Sequence, residues 1–303
     1  MEIIKNTLLS GALMVAMSTN TVMAGDDWYV STTLSGVLGS YSDSTFRNDV
    51  MSANFLLNAD YLENVSFAVG YNGSNVDFKD PIEDIKQTAF AGRFQYHIYS
   101  DALGGRLTTQ LVYHSVSNDD TTKLTDGVDV IAPKLAFLNF KKDLYLDVGF
   151  SKSDYPNNSN LTVKQFAPTF GFAFNDSTDW LNIKAYLIKS SDKDLSQGED
   201  SFSSVDVKWT HWLGSNAILG IDNFSIGVLG GKRIFAVDND ALAVYNLADI
   251  QKGAASFGVT WKIRDEYEIT TILGLSKFEN LTSNVVNAYT QQYLYLSLKK
   301  NWE

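Results

Sequence analysis

Cysteine is absent from all 303 residues, so no disulfide framework holds the fold, although an oxidising compartment stays compatible. Histidine is nearly absent as well: His97, His114 and His211 lie far apart, and no pair has the helical spacing of a zinc site. Proline is rare, at four residues, while aromatics make up 13% of the chain, a composition that opposes disorder and suits a structured, β-rich chain. Basic residues number 24 against 35 acidic ones, and a net charge of −11 lacks the basic footprint that nucleic-acid binding needs. Beyond Ala24 no apolar run reaches the roughly 18 residues of a membrane helix. In lipid only helices and closed barrels satisfy every backbone polar group, so a membrane location demands a barrel.

The one long apolar run lies at the start. Residues 1–24 carry Lys5, a mostly apolar stretch at 8–17, and Val22-Met23-Ala24 with small or aliphatic residues at the two positions a signal peptidase reads. Ser18, Thr19 and Asn20 end the run too early for a spanning helix. The expectation is a cleaved signal peptide at 1–24 and one domain over 25–303.

From residue 28 onward the chain alternates apolar and polar residues with a period of two, which puts one set on each face of a strand. The cleanest stretches are 28–41 (Trp28, Val30, Thr32, Leu34 and Leu38 against Tyr29, Ser31, Thr33 and Ser35), 49–61 and 64–73. Others follow at 85–99, 105–117, 128–140, 144–153, 161–174, 180–190, 202–213, 224–237, 250–263, 267–278 and 286–302. Fourteen segments result, with twelve and sixteen as the neighbouring even counts. Connections alternate between short ones, such as Leu62-Glu63, and longer acidic or polar ones, such as 118–127, 191–201 and 238–248. Short periplasmic turns and long outer loops characterise bacterial barrels. A soluble β-sandwich also alternates, but its strands average about five or six residues, and it has no reason to gather aromatics at segment ends as interfacial girdles do. Pro133 and Pro168 sit inside segments, where a missing N–H predicts a bulge.

The last segment places Leu294, Leu296, Leu298 and Trp302 on one parity and Tyr293, Tyr295, Ser297, Lys299 and Asn301 on the other. It resembles the C-terminal strand of Gram-negative outer-membrane β-barrel proteins, with Lys300 on the apolar parity and Glu303 after the aromatic as departures. In size and strand count the whole of 25–303 resembles monomeric, fourteen-stranded porins. That likeness implies an all-β, closed, antiparallel up-and-down transmembrane barrel in the cell outer membrane, with acidic loops outward. It also implies outer-membrane lipids, lipopolysaccharide and the barrel-assembly machinery as partners and no cofactor; it favours a monomer, while the sequence leaves the oligomeric state open. No long segment precedes Trp28 to act as a plug, so passive passage of small hydrophilic solutes is the expected function. A non-conducting barrel serving surface polysaccharide, export or adhesion is the alternative.

Charged residues on the parity opposite the apolar one should face a watery lumen, since Lys or Arg at mid-bilayer costs about 2–4 kcal/mol. On this parity Arg93, Lys134, Lys184 and Lys208 fall near mid-height with Asp206 beside them, and Arg106 lies nearer the periplasm. Such a lumen would favour anionic or polar solutes if those cations are unpaired, and would merely be braced if they pair. Tyr29, Tyr293 and Tyr295 share the lumen parity and offer ring faces to a saccharide, or serve as filler. His114, in Tyr113-His114-Ser115-Val116-Ser117-Asn118, resembles the His-x-Ser-Asn motif of outer-membrane phospholipases and lipid A deacylases. Here the serines are one and three residues away, on the opposite face, so a hydrolase site needs a bulge. Residues 192–196 look like the start of a calcium loop, but the glycine comes one place late and the bidentate Glu is missing, so no metal site is expected.

Overall fold

The computed structural model describes residues 27–119, 125–157, 161–214, 219–264, 266–282 and 285–302. The expected signal peptide and Glu303 lie outside these residues. Fourteen antiparallel strands close into one barrel: β1 (Trp28–Ser42), β2 (Arg47–Tyr61), β3 (Val65–Phe78), β4 (Ile85–Ser100), β5 (Gly105–Asn118), β6 (Val128–Asn139), β7 (Leu144–Tyr155), β8 (Leu161–Phe174), β9 (Asp179–Ser190), β10 (Ser201–Trp212), β11 (Ile221–Arg233), β14 (Ile250–Ile263), β15 (Tyr267–Thr282) and β16 (Val285–Trp302). Two short strands, β12 (Val237–Asp238) and β13 (Ala243–Val244), pair as a separate hairpin between β11 and β14. The ends of the chain meet: β1 pairs with β16 without a break from Val30 opposite Trp302 to Ser42 opposite Thr290, which leaves the sheet no edge.

The apolar parity points outward. Leu273 is 57% exposed, Leu296 54% and Phe150 52%, whereas a sandwich would bury these same positions. Only lipid covers a closed barrel's outer face, so the exposure itself decides between the two architectures. The connections at one end of the barrel are short: between β2 and β3, Leu62 and Glu63 take positive φ, 47° and 57°, as the central residues of a turn in which the Asn64 N–H donates to the Tyr61 carbonyl (2.9 Å).

Lys300, the irregular residue of the final strand, lies with its ammonium 3.7 Å from the Trp302 ring centroid and 5.6 Å from that of Tyr267. A cation over aromatic faces at the strand's end needs no lipid contact of its own. The bulges expected at Pro133 and Pro168 do not form. Pairing skips from Ile131 to Lys134 on β6 and from Phe166 to Thr169 on β8, but the register is the same on both sides of each gap. The missing N–H costs ladder bonds while the flanking pairs hold the alignment. True register shifts occur beside Arg47, Asn223, Arg233 and Gln251 instead.

The largest departure from expectation is the segment after β11. The alternation predicts a strand over 224–237 and an outward acidic loop over 238–248; the strand instead ends at Arg233, and residues 234–249 turn into the barrel. Ile234, Phe235, Ala236 and Val237 are each at most 2% exposed. Four consecutive apolar residues cannot serve a wall with lipid on one side and water on the other; they require apolar surroundings on all sides. These come from inward-facing side chains of the long-loop half of β5–β10, among them Val112, Val116, Val130, Tyr155, Val163, Ile188 and Phe202, which form one dry cluster with the loop.

Candidate functional site

The inserted loop crosses the lumen on a series of polar anchors. At its start, Arg233 donates from Nε to Gln251 Oε1 (2.6 Å), and its guanidinium lies 5.1 Å from the Tyr186 ring and 4.5 Å from that of Tyr245. Phe235 then packs on Tyr155, ring centroids 5.1 Å apart. Gln165 on β8 treats Val237 as a neighbouring strand would, donating from Nε2 to its carbonyl (2.7 Å) and accepting its N–H (3.1 Å). At the tip, Asp238 accepts the N–H groups of Asp240 and Ala241, a local turn that aims two carboxylates at the wall. Lys184 pairs with Asp238 at 3.2 Å and with Asp240 at 3.1 Å, and Lys134 pairs with Asp240.

The return limb reaches the opposite side. Asn246 donates to Gln87 and to the Thr125 carbonyl, and the Gln197 amide donates to the Ala248 carbonyl. Asp249 closes the path in a buried latch, where it pairs with Arg47, accepts the Tyr289 hydroxyl and accepts from Asn280 Nδ2 at 2.7 Å. The Arg47 guanidinium sits 5.4–5.9 Å from the ring centroids of Tyr41, Phe78 and Tyr289. Sequence reasoning missed Arg47, Asp249 and Tyr289 because the latch joins residues far apart in the chain. The unbroken run Ile234–Val237 was the available signal for the loop.

The residues singled out from parity meet different surroundings. Lys134 and Lys184 face the lumen at mid-height, but they meet Asp238 and Asp240, so their charge is matched by the loop. Asp240 lies outside the spanning strands. Burial acts to raise its carboxyl, but Lys184 and Lys134 outweigh that and hold it well below the usual carboxylate range. Arg93 donates to Asn58 Oδ1 at 2.9 Å, and Arg106 has a buried Nε without a hydrogen-bond partner. Lys208 is exposed, and neither it nor Asp206 makes a hydrogen bond or ion pair among the described residues. Tyr29 is 64% exposed near the start of β1, well apart from Tyr293 and Tyr295, which lie part-buried on β16. The structure thus gathers Asp206 and Tyr293 within electrostatic reach of one another and leaves Tyr29 and Arg106 outside that group.

No hydrolytic arrangement assembles at His114. Its side chain is 1% exposed with Nε2 unpartnered, and the β5 register is unbroken on both sides, so Ser115 and Ser117 stay on the opposite face. A second histidine does touch a serine: Ser66 Oγ lies 3.3 Å from His97 Nε2. That serine donates to Asp60, however, and His97 Nδ1 lies 2.8 Å from Thr108 Oγ1 with no carboxylate to orient the ring. The order of contacts is wrong for a base that activates the hydroxyl.

Beside the loop, the lumen-facing side chains of β16, β1 and β2 remain part-exposed: Gln291, Tyr293 and Tyr295; Ser31, Thr33 and Ser35; Ser52, Asn54 and Asn58. No charge occurs on this face between Lys299 and Asp60 toward the short-turn end and Arg47 at the long-loop end.

No family model and no curated protein matches the chain. Among solved structures it is similar to the Pseudomonas putida toluene transporter TodX, at 7% identity over 94% of this chain and 92% of that one, with a TM-score of 0.53. It is similar also to a bacterial polysaccharide outer membrane secretin, at 9% identity over 90% of this chain and 98% of that one, TM-score 0.53. At such identities the likeness is one of fold: the chain has the closed-barrel fold of Gram-negative outer-membrane proteins.

Proposed function

We propose that the chain is an outer-membrane channel for small hydrophilic solutes, its bore narrowed by loop 234–249. The observation that carries this reading is the solvent-accessible, uncharged strip of lumen wall on β16, β1 and β2 beside the loop. A barrel of about this strand number has room for a water-filled path, and beside the loop the inward side chains of β16, β1 and β2 stay part-exposed. In this reading the outer belt sits among outer-membrane lipids and lipopolysaccharide, and the paired final strand is the feature that the assembly machinery would meet. The pairing of Lys134 and Lys184 argues for solutes of little net charge rather than for anions.

Refolded protein in planar lipid bilayers tests the reading. Small, discrete conductance steps are expected, rising several-fold when residues 236–247 are replaced by a short glycine linker. The dry cluster over 234–237 favours one competing reading, a barrel sealed by its own loop and used for surface interaction or export. A silent wild type beside a conducting loop-shortened variant would establish that competitor.

A further inference from the structure

Between the loop and the accessible wall lies a group of side chains that the ion-pair network leaves unused. Tyr293, on β16, lies flat against β15: a Cβ built at Gly274 would stand 2.1 Å from its Cζ, so glycine alone lets one ring face rest on the wall. Tyr245, on the loop, is 43% exposed and has the Arg233 guanidinium over its ring. Asp206, facing inward from β10, engages no hydrogen-bond donor among the described residues, and neither do the hydroxyls of Tyr245 and Tyr293. Along the ladder Tyr293 stands opposite Gly274, Gly274 opposite Ser256, Ser256 opposite Gly227 and Gly227 opposite Lys208, so only glycine and serine separate Tyr293 from the inward face of β10, where Asp206 is the next inward residue, and Arg233 ties Tyr245 to the same side.

The chemistry of this group selects its ligand. Two tyrosine rings offer apolar faces with polar tips, and an unpartnered carboxylate is a strong acceptor for hydroxyl donors. A carboxylated or phosphorylated solute would be opposed by Asp206, and an organic cation by Arg233 and Lys208. A neutral ring bearing several hydroxyls uses every element: C–H faces on the tyrosines, hydroxyls on Asp206 and the phenols. We propose that Tyr293, Tyr245 and Asp206 form a subsite for neutral saccharides. The proposal rests on the channel reading for the ligand's access, and it assigns the solute class to that lumen.

Maltotriose titrated calorimetrically into the refolded barrel, in a detergent free of sugar headgroups, tests the subsite without requiring conductance. Binding is expected, weakened about tenfold by Tyr293→Ala, the loss of one stacked ring. Asp206→Asn, which keeps the shape and removes the charge, is expected to weaken it by at least as much, while Tyr71→Phe on the outer face leaves it unchanged. Unaltered thermal unfolding of each variant confirms that the barrel is intact. Absence of maltotriose binding overturns the subsite, as does binding indifferent to both lumen variants, or preferential binding of citrate or tetraethylammonium. A conducting barrel that ignores maltotriose defeats the subsite and keeps the channel; a binding barrel that never conducts does the reverse.

Discussion

The β7–β8 wall and the β1–β2 wall share one backbone geometry and one alternation, yet their lumen faces have opposite fates. On β7 and β8 the inward residues Asp147, Ser151, Ser153 and Tyr155 and Leu161, Val163, Gln165, Ala167 and Thr169 are all buried. On β1 and β2 the inward Ser31, Thr33, Ser35, Asn54 and Asn58 remain part-exposed. What differs is the surface that meets them. The first wall receives an apolar segment of the chain itself, held by Gln165 on β8 and flanked by the ion pairs of Lys134 on β6 and Lys184 on β9; the second is left part-exposed. Inward parity in this barrel therefore specifies "away from lipid" and nothing more. A loop decides whether that face becomes a core or a path.

The comparison breaks most severely at the latch, where the loop's return limb is tied down. Arg47→Ala leaves Asp249, with a side chain 1% exposed, without its cation, and removal of one partner of a buried pair costs about 3–5 kcal/mol. The expected readout is a marked fall in thermal stability with raised conductance, since Tyr41, Phe78 and Tyr289 lose the guanidinium between them. Phe235→Ala attacks the dry side instead. It removes a ring 2% exposed against Tyr155 and is expected to cost about 3 kcal/mol. Amide hydrogen exchange should then quicken over residues 234–249 while the β16–β1 pairing keeps its protection. Uniform loss of protection around the barrel would show that the loop is not a separate unit.

The bilayer explains how much of this was legible beforehand. Lipid outside and water or protein inside impose a strict dyad on every strand, so the fourteen segments and the outward face of Leu294, Leu296 and Leu298 could be read directly from residue types. Outside the bilayer that constraint lapses. Strand β3 continues to Phe78, past the expected end at residue 73: Ser74–Asp77 go on pairing with β2, but the apolar residues change parity, from the outward set that ends at Tyr71 to the inward Val76 and Phe78, which pack with Tyr41 and Tyr289. Pairing partners were not legible either. Lys134 meets Asp240 across more than a hundred residues, and only the fold of the loop brings them together. The composition of the lumen face was therefore visible, but its net charge after pairing was not.

Acid should test the ionic side of the stitching less drastically. Asp240 has its folded-state pKa depressed by Lys184 and Lys134, so its contribution is present above the unfolded value, 3.8, and is lost only as pH falls through the lower folded value. Conductance is therefore expected to stay level from pH 7 down to about pH 4. A rise beginning near pH 5 would mean that Asp240 is not held by Lys184 and Lys134.

The smallest effect belongs to the wet wall, and it is the most discriminating because stability hardly enters. Gly274→Ala introduces a methyl 2.1 Å from Tyr293 Cζ and 2.4 Å from its hydroxyl oxygen. Those atoms are the far end of a side chain with solvent on its other face, so the ring tilts inward and the backbone stays put. Thermal stability should change by less than about 1 kcal/mol. Conductance should fall, because a ring lifted from β15 moves into lumen space beside side chains that the loop leaves part-exposed. The same substitution on a packed face would read oppositely, as lost stability without altered conductance. Equal conductance in the two proteins would mean that solutes do not pass Tyr293, and that the accessible strip on β16, β1 and β2 is a recess rather than a path.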